Sequence, residues 1–272
     1  MTITKKQALR NAGLNSLLSI GSDSKTVKGE KLNYLTGICY LAPDQIAFKH
    51  LMKKGTLCAN AKTAGCAEAC LYSAGRGSFN SVQQSRLNKS VSLITKQNDF
   101  LIALYKEIES LIVKAKNKGM TPAVRLNGTS DVDYTNKPFL MNGKNQNIFD
   151  HFPELQFYDY TKNMHMLDRA PKNYALTASY SGASVKYSVS VLNAVREHSV
   201  GASVVFRGEI PETFKGLPVI NGDDTDLRFL DAKKHDLINQ PFIVGLYAKG
   251  SAKKDFSGFI QESKIVVDRL NK

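Results

Sequence analysis

The sequence lacks the short motifs that most often identify an enzyme directly. It contains no P-loop, no GxGxxG turn, no HExxH pair and no Ser-His-Asp arrangement. It also has no recognisable signal peptide and no apolar run of the roughly 18 residues that a membrane span needs. From these absences we expect a cytoplasmic protein without a membrane partner, and we exclude the common nucleotide-loop and zinc-protease classes.

Cysteine is scarce, yet its distribution is uneven. The chain has four cysteines and no CxxC pair, so it lacks the usual zinc knuckles. It also lacks the pattern of zinc deaminases, in which HxE is followed by PCxxC. Structural disulfides are rare in a reducing compartment. Three of the four cysteines nevertheless lie within thirteen residues, at Cys58, Cys66 and Cys70. This clustering predicts a shared chemical role.

The C-x7-C-x3-C spacing, interrupted by Gly65, indicates a metal centre. Neighbouring thiolates can converge on one soft metal, and three protein ligands leave a coordination position open for chemistry. We predict that Cys58, Cys66 and Cys70 hold a [4Fe–4S] cluster. Zinc is the alternative, with Cys39 or His50 as a fourth ligand. A disulfide and inert buried thiols are the remaining interpretations.

The overall charge favours a polyanionic partner. The 272 residues include 37 Lys and Arg against 24 Asp and Glu, which gives a formal net charge of +13. Such an excess predicts contact with a nucleotide or nucleic acid. However, the lysines are spread along the chain and no RRM, KH or zinc-finger signature accompanies them, so an ordinary solvated surface is the alternative. The sequence does not indicate an oligomeric state.

The hydrophobic pattern predicts a single α/β domain over residues 1–272. An N-terminal extension covers 1–31, and a strand, the cysteine loop and two helices cover 32–118. Apolar residues at helical spacing place those helices at 79–95 and 97–117. Strand and helix patterns then alternate over 119–272. We predict a complete or partial parallel β/α barrel preceded by an N-terminal helical and cysteine-loop segment.

Polar side chains follow the predicted strands, where the chemistry of such barrels occurs. We predict Asp131, Asp159 and Lys162 as catalytic residues, because carboxylates beside cations suit acid–base work. The predicted ligand-binding residues are Arg125, Asn127, Ser130, Thr177, Ser179 and Lys249. The alternative is turn formation, since Asp and Asn commonly follow strands for that reason alone.

Several longer motifs together carry a family resemblance. They are Cys58 to Cys70, Gly75-Arg-Gly77, Arg125-Leu-Asn-Gly-Thr-Ser-Asp131, Phe157-Tyr-Asp-Tyr-Thr-Lys162, Leu176-Thr-x-Ser179 and Gly245-Leu-x-Ala-Lys-Gly250. In this order they resemble the bacteriophage gene product 88 family over roughly residues 35–260. The resemblance implies a phage origin and expression in the cytoplasm of a host cell.

The cysteine loop is also similar to the three-cysteine loops of radical S-adenosylmethionine enzymes. Those enzymes place C-x3-C-x2-C after the first barrel strand, and here the order of strand, cysteine loop and helix agrees although the spacing differs. The similarity implies S-adenosylmethionine as a cofactor and a radical-type reaction, and the net charge of +13 favours a nucleotide or nucleic acid as the substrate. Two alternatives are a zinc-stabilised, basic nucleic-acid-binding protein without catalysis, and a transglycosylase-like base-modifying enzyme with Asp131 or Asp159 as nucleophile.

Overall fold

The computed structural model describes residues 3–21, 24–67, 70, 72 and 75–263. Its α-helices are α1 (Lys5–Ala12), α2 (Ser24–Glu30), α3 (Ile46–His50), α4 (Asn80–Thr95), α5 (Gln97–Asn117), α6 (Ile148–His151), α7 (His165–Arg169), α8 (Val185–His198) and α9 (Asp231–Lys234). Its strands are β1 (Leu18–Ile20), β2 (Tyr34–Cys39), β3 (Thr121–Arg125), β4 (Phe139–Met141), β5 (Lys144–Gln146), β6 (Gln156–Thr161), β7 (Tyr174–Ser179), β8 (Gly201–Arg207), β9 (Thr213–Phe214), β10 (Leu217–Asn221), β11 (Phe242–Tyr247) and β12 (Ile260–Glu262).

The chain divides into two compact units that interleave along the sequence. The first unit contains residues 1–58, 79–159 and 169–175, and the second contains 59–78, 160–168 and 176–272. Because the chain passes repeatedly between the units, no single linker separates them. This interleaving explains why the sequence shows no domain boundary.

In the first unit, helix α5 packs against strands β2 and β3 and against helix α1. Its buried side chains recur at helical spacing, with Phe100, Leu104, Ile108 and Leu111 fully enclosed. Strands β2, β3 and β6 are parallel neighbours, whereas β1 pairs with β2 in the antiparallel sense. Helix α5 therefore covers β2 and β3, and the predicted polar residues follow the carboxyl end of β3.

Two buried charges fix the start of β1 in this unit. The Glu107 carboxylate accepts hydrogen bonds from the backbone N–H groups of Leu17 at 2.8 Å and Leu18 at 2.6 Å. The Lys89 Nζ donates to the carbonyl of Leu17 at 2.9 Å. Both charged side chains thus satisfy backbone groups that burial would otherwise leave without partners.

In the second unit, the hydrogen-bonded strand order is β7, β8, β11, β10 and β9, and β12 also pairs with β8. All these pairs are parallel except the one between β9 and β10. Helix α8 buries Tyr187, Val191 and Val195 in the core of this unit, where Ala202 and Val204 of β8 also lie. The apolar residues of β8 are buried in near-continuous succession, as in other parallel strands covered by helices.

The predicted α/β class is confirmed, because both units contain mainly parallel strands. The helices predicted at 79–95 and 97–117 correspond to α4 and α5, and α1 and α2 confirm a helical N-terminal segment. The predicted complete or partial barrel is not confirmed, since the described strands form no closed ring. The antiparallel strands β1 and β9 each lie at an edge, where a barrel would need a further parallel strand. In the part of the chain that the structure describes, no helix is long and apolar enough to cross a membrane.

Candidate functional site

The candidate site lies in the first unit, at the carboxyl end of β3. Its centre is Asp159 of β6, whose side chain is fully buried. The carboxylate accepts hydrogen bonds from the backbone N–H of Leu126 at 3.2 Å and of Asn127 at 2.8 Å. The hydroxyl of Tyr174 donates a third bond at 2.8 Å. One carboxylate therefore fixes the point at which the chain leaves β3.

The guanidinium of Arg125 accompanies this buried carboxylate. Its Nε lies 3.7 Å from Oδ1 of Asp159, and the two side chains are only 6% and 0% exposed. Burial raises the pKa of Asp159 to about 7, while Arg125 and the hydrogen bonds from Asn127, Tyr174 and Leu126 act in the opposite direction. The cost of desolvation thus exceeds the stabilisation that these partners give to the ionised form.

Asn127 closes the loop that follows β3. Its Oδ1 accepts hydrogen bonds from the Ser130 hydroxyl and from the Val132 backbone N–H, both at 2.8 Å. Its Nδ2 donates to the Val132 carbonyl at 3.0 Å. A single buried amide thereby holds both ends of the segment 127–132, which carries Ser130 and Asp131 at partly exposed positions. Such a constrained loop presents its side chains in defined positions.

Gly128 allows this loop to approach β2 closely. Its N–H donates to the carbonyl of Cys39 at 2.9 Å. A Cβ at this position would lie 2.5 Å from the ring of Tyr40 and 2.8 Å from the side chain of Ile38. Contacts this short do not occur between real side chains, so only glycine fits without movement of the core.

Cys58 lies directly beside the same loop. It forms an isolated parallel β-bridge with Asp131, and the Asp131 N–H donates to the carbonyl of Leu57 at 2.8 Å. Residues opposite each other in such a bridge project their side chains to the same side. The sulfur of Cys58 also accepts a hydrogen bond from the backbone N–H of Asp44 at 3.3 Å. The structure therefore brings one predicted metal ligand next to one predicted catalytic carboxylate.

A family comparison covers this entire site. The family described as gene product 88 matches residues 15–263. The chain belongs to the gene product 88 family. The family resemblance predicted from the motifs is therefore confirmed. Comparison with curated proteins and with solved structures gives no match. No comparison supports the predicted similarity of the cysteine loop to radical S-adenosylmethionine enzymes.

In this member of the gene product 88 family, the other predicted polar residues belong to the second unit. The Lys162 Nζ donates to the Ser179 hydroxyl at 2.8 Å and lies 5.3 Å from the ring centre of Phe259. Thr177 and Ser179 are buried on β7. Lys249 instead forms an exposed ion pair with Asp223. Of these two predicted lysines, Lys162 is therefore half-buried and Lys249 is exposed.

The cysteine loop of this gene product 88 protein is shared between the units. Cys58 belongs to the first unit, whereas Cys66 and Cys70 belong to the second. The Cys66 thiol lies 3.7 Å from the Ala61 carbonyl, and the hydroxyls of Ser181 and Ser257 hold the carbonyls of Ala64 and Gly65 at 2.6 and 3.0 Å. Within the described ranges, no group of three or more His, Cys, Asp or Glu side chains is arranged to bind a metal ion.

Sequence reasoning missed two tyrosines at the site of this family member. Tyr174 begins β7 and donates to Asp159, and Tyr134 is fully buried, with a hydroxyl that has no hydrogen-bond partner among the described residues. Burial, with Cys39 and Asp159 nearby, raises the pKa of Tyr134 well above its usual value. An aromatic residue at the start of an apolar strand indicates a core position, and no local pattern reveals where its hydroxyl points.

Proposed function

We propose that this gene product 88 protein is an enzyme that acts on a nucleotide or nucleic acid at the loop following β3. The observation that supports this proposal is that a fully buried carboxylate, Asp159, fixes the loop that bears Asp131. Burying an ion pair is expensive, and apolar residues of similar volume would usually stabilise a fold as well or better. Buried support behind partly exposed polar groups is instead typical of functional sites.

Within this proposal the two carboxylates have different roles. Asp131 is partly exposed beside Cys58, so it is the acid–base residue that can reach a ligand. Asp159 is enclosed and serves as a positioning residue for Asn127, and Arg125 supports it. The net charge of +13 supports the nucleotide class, and we propose the host cytoplasm as the location of the reaction because the gene product 88 match supports a phage origin.

The test measures binding of the common mononucleotides and of short oligonucleotides to the full chain. Asp131→Asn should reduce affinity about tenfold to a hundredfold, since hydrogen bonds to charged groups contribute about 1.5–3 kcal/mol. The matched control is Asp150→Asn, an exposed carboxylate on α6 in the same unit. Equal affinity of the two variants would remove Asp131 from the site, and no binding by the wild type would refute the nucleotide class.

A metal centre is the second candidate, and one contact favours it. The hydrogen bond from the Asp44 N–H to the Cys58 sulfur complements negative charge on a thiolate, as in cluster sites whose sulfurs accept hydrogen bonds. We therefore also propose a [4Fe–4S] cluster on Cys58, Cys66 and Cys70, with S-adenosylmethionine as the ligand of its open position and zinc as the alternative metal. The side chains are not arranged as a metal site within the described ranges, so we derive no reaction step through a cluster.

Iron, sulfide and zinc analysis of anaerobically purified protein tests this second candidate. Cys58→Ala, Cys66→Ala and Cys70→Ala should each abolish metal retention. Cys39→Ala is the control, because burial raises the pKa of the Cys39 thiol to about 12 and keeps it protonated. Full metal content in any loop variant would contradict the assignment. Zinc without sulfide would instead support the zinc-stabilised alternative.

A further inference from the structure

A cavity of about 450 Å³ lies in the second unit, at the carboxyl ends of β8 and β11. The two strands are parallel and in register up to the pair of Phe206 and Tyr247, so they end side by side. The cavity lining is Phe206, Arg207, Gly208, Tyr247, Ala248 and Lys253. The carboxyl ends of parallel strands are a common location for ligand sites in open α/β sheets. The lining combines aromatic rings with cations.

One exposed aromatic side chain lines this cavity, and a second contacts a residue of its lining. Tyr247, which lines it, is 44% exposed, and Phe256, in the loop between β11 and β12, is 84% exposed. The guanidinium of Arg207 lies 4.3 Å from the ring centre of Phe256. One side of that ring therefore contacts a cation that also lines the cavity, while most of the ring remains accessible to a ligand.

Arg207 is itself held in place by several contacts. Its Nε donates to the Lys253 carbonyl at 3.1 Å, and a second nitrogen donates to the Asp255 carbonyl. A third nitrogen pairs with Glu262 of β12. These bonds fix the loop 253–256 relative to β8, so the position of the exposed ring is set before any ligand arrives. A pre-positioned aromatic ring loses little conformational entropy on binding.

We propose that this surface, defined by Arg207, Tyr247, Lys253 and Phe256, binds single-stranded nucleic acid. An unpaired base stacks on Phe256, and the adjacent phosphate lies near the exposed ammonium of Lys253. Interleaved aromatic and basic side chains are the usual means of binding single strands without sequence preference. The choice of nucleic acid rests on the proposed function, whereas the location rests on these contacts alone.

Fluorescence anisotropy of a labelled oligothymidylate with the full chain tests the proposal. Phe256→Ala should weaken binding about tenfold, the effect typical of losing one base–aromatic stack, and Phe256→Tyr should retain most of the affinity. Lys253→Gln should weaken binding and lower the salt dependence by about one phosphate contact. The control is Phe79→Ala, which removes a ring that is 59% exposed in the first unit; it should leave affinity unchanged.

The outcomes separate this surface from the proposed function. If the wild type binds the oligonucleotide and Phe256→Ala binds equally well, this surface is wrong while the nucleic-acid class survives. If the wild type binds no oligonucleotide at low salt, this surface is wrong, and the proposed function fails as well if mononucleotides also do not bind. A duplex of the same length should compete poorly because its bases are already stacked. Equal competition by the duplex would overturn the stacking contact.

Discussion

The end of β3 in the first unit and the ends of β8 and β11 in the second use charged side chains in opposite ways. In the first unit, Arg125 and Asp159 are enclosed and fix the loop after β3. In the second unit, the pairs of Lys249 with Asp223 and of Arg207 with Glu262 lie in partly exposed positions. Breaking a buried pair leaves an uncompensated charge, whereas exposed pairs contribute little. The end of β3 therefore has a fixed geometry, whereas the ends of β8 and β11 form an accessible surface.

The largest expected effect is a loss of stability when the buried carboxylate of Asp159 is removed. Asp159→Ala should lower the free energy of unfolding by about 3–5 kcal/mol, because Arg125 and two backbone N–H groups lose their buried acceptor. Urea denaturation measures the change. The matched control is Asp224→Ala, which removes an exposed partner of Lys234 and should cost about 0–1 kcal/mol. Similar losses in the two variants would show that burial does not distinguish the pairs.

The next effect is a pH dependence at the end of β3. The pKa of Asp159 is raised by burial from 3.8 to about 7. Between these values the folded state binds more protons than the unfolded chain, so the contribution of Asp159 to stability is greatest at low pH and falls as pH rises. The destabilisation caused by Asp159→Asn, measured by urea denaturation across this range, should therefore be larger near pH 4 than near pH 7. A constant difference across that range would contradict the raised pKa.

The smallest effect concerns the accessible end. Lys249→Gln removes the partner of Asp223 and should change the free energy of unfolding by about 0–1 kcal/mol, since solvent screens this pair. Moderate salt should reduce the difference further. A loss comparable to that of Asp159→Ala would mean that the second strand end is as rigid as the first. The comparison between the two ends would then fail.

Local sequence patterns were sufficient to predict the main helices and strands but not the contacts within the candidate site. The spacing of Phe100, Leu104, Ile108 and Leu111 predicted helix α5, and the polar run after Arg125 predicted the loop that the structure shows. The predicted complete or partial barrel was not confirmed, and strand count and alternation alone do not reveal which strands pair antiparallel at an edge. Strand β12 was also not predicted, because its three residues are too few to show a periodic hydrophobic pattern.

Contacts between distant residues account for the rest. Nothing local in the sequence joins Tyr174 to Asp159, and the hydroxyl of a strand tyrosine cannot be oriented from its neighbours. Lys89 and Glu107 belong to helices whose periodic pattern describes only apolar positions, so their buried bonds to Leu17 were not predictable. These long-range bonds depend on tertiary packing rather than on propensity.

The interleaving of the two units also governs when each can fold. The first unit requires residues 169–175, and Tyr174 within them supplies a bond to its central carboxylate. During synthesis, this unit therefore cannot be completed until well over half of the chain has been made. The bond between Leu17 and Glu107 spans 90 residues, and such long-range closure slows folding. We expect the nascent chain to expose apolar surface for an extended period, which favours aggregation unless a chaperone binds it.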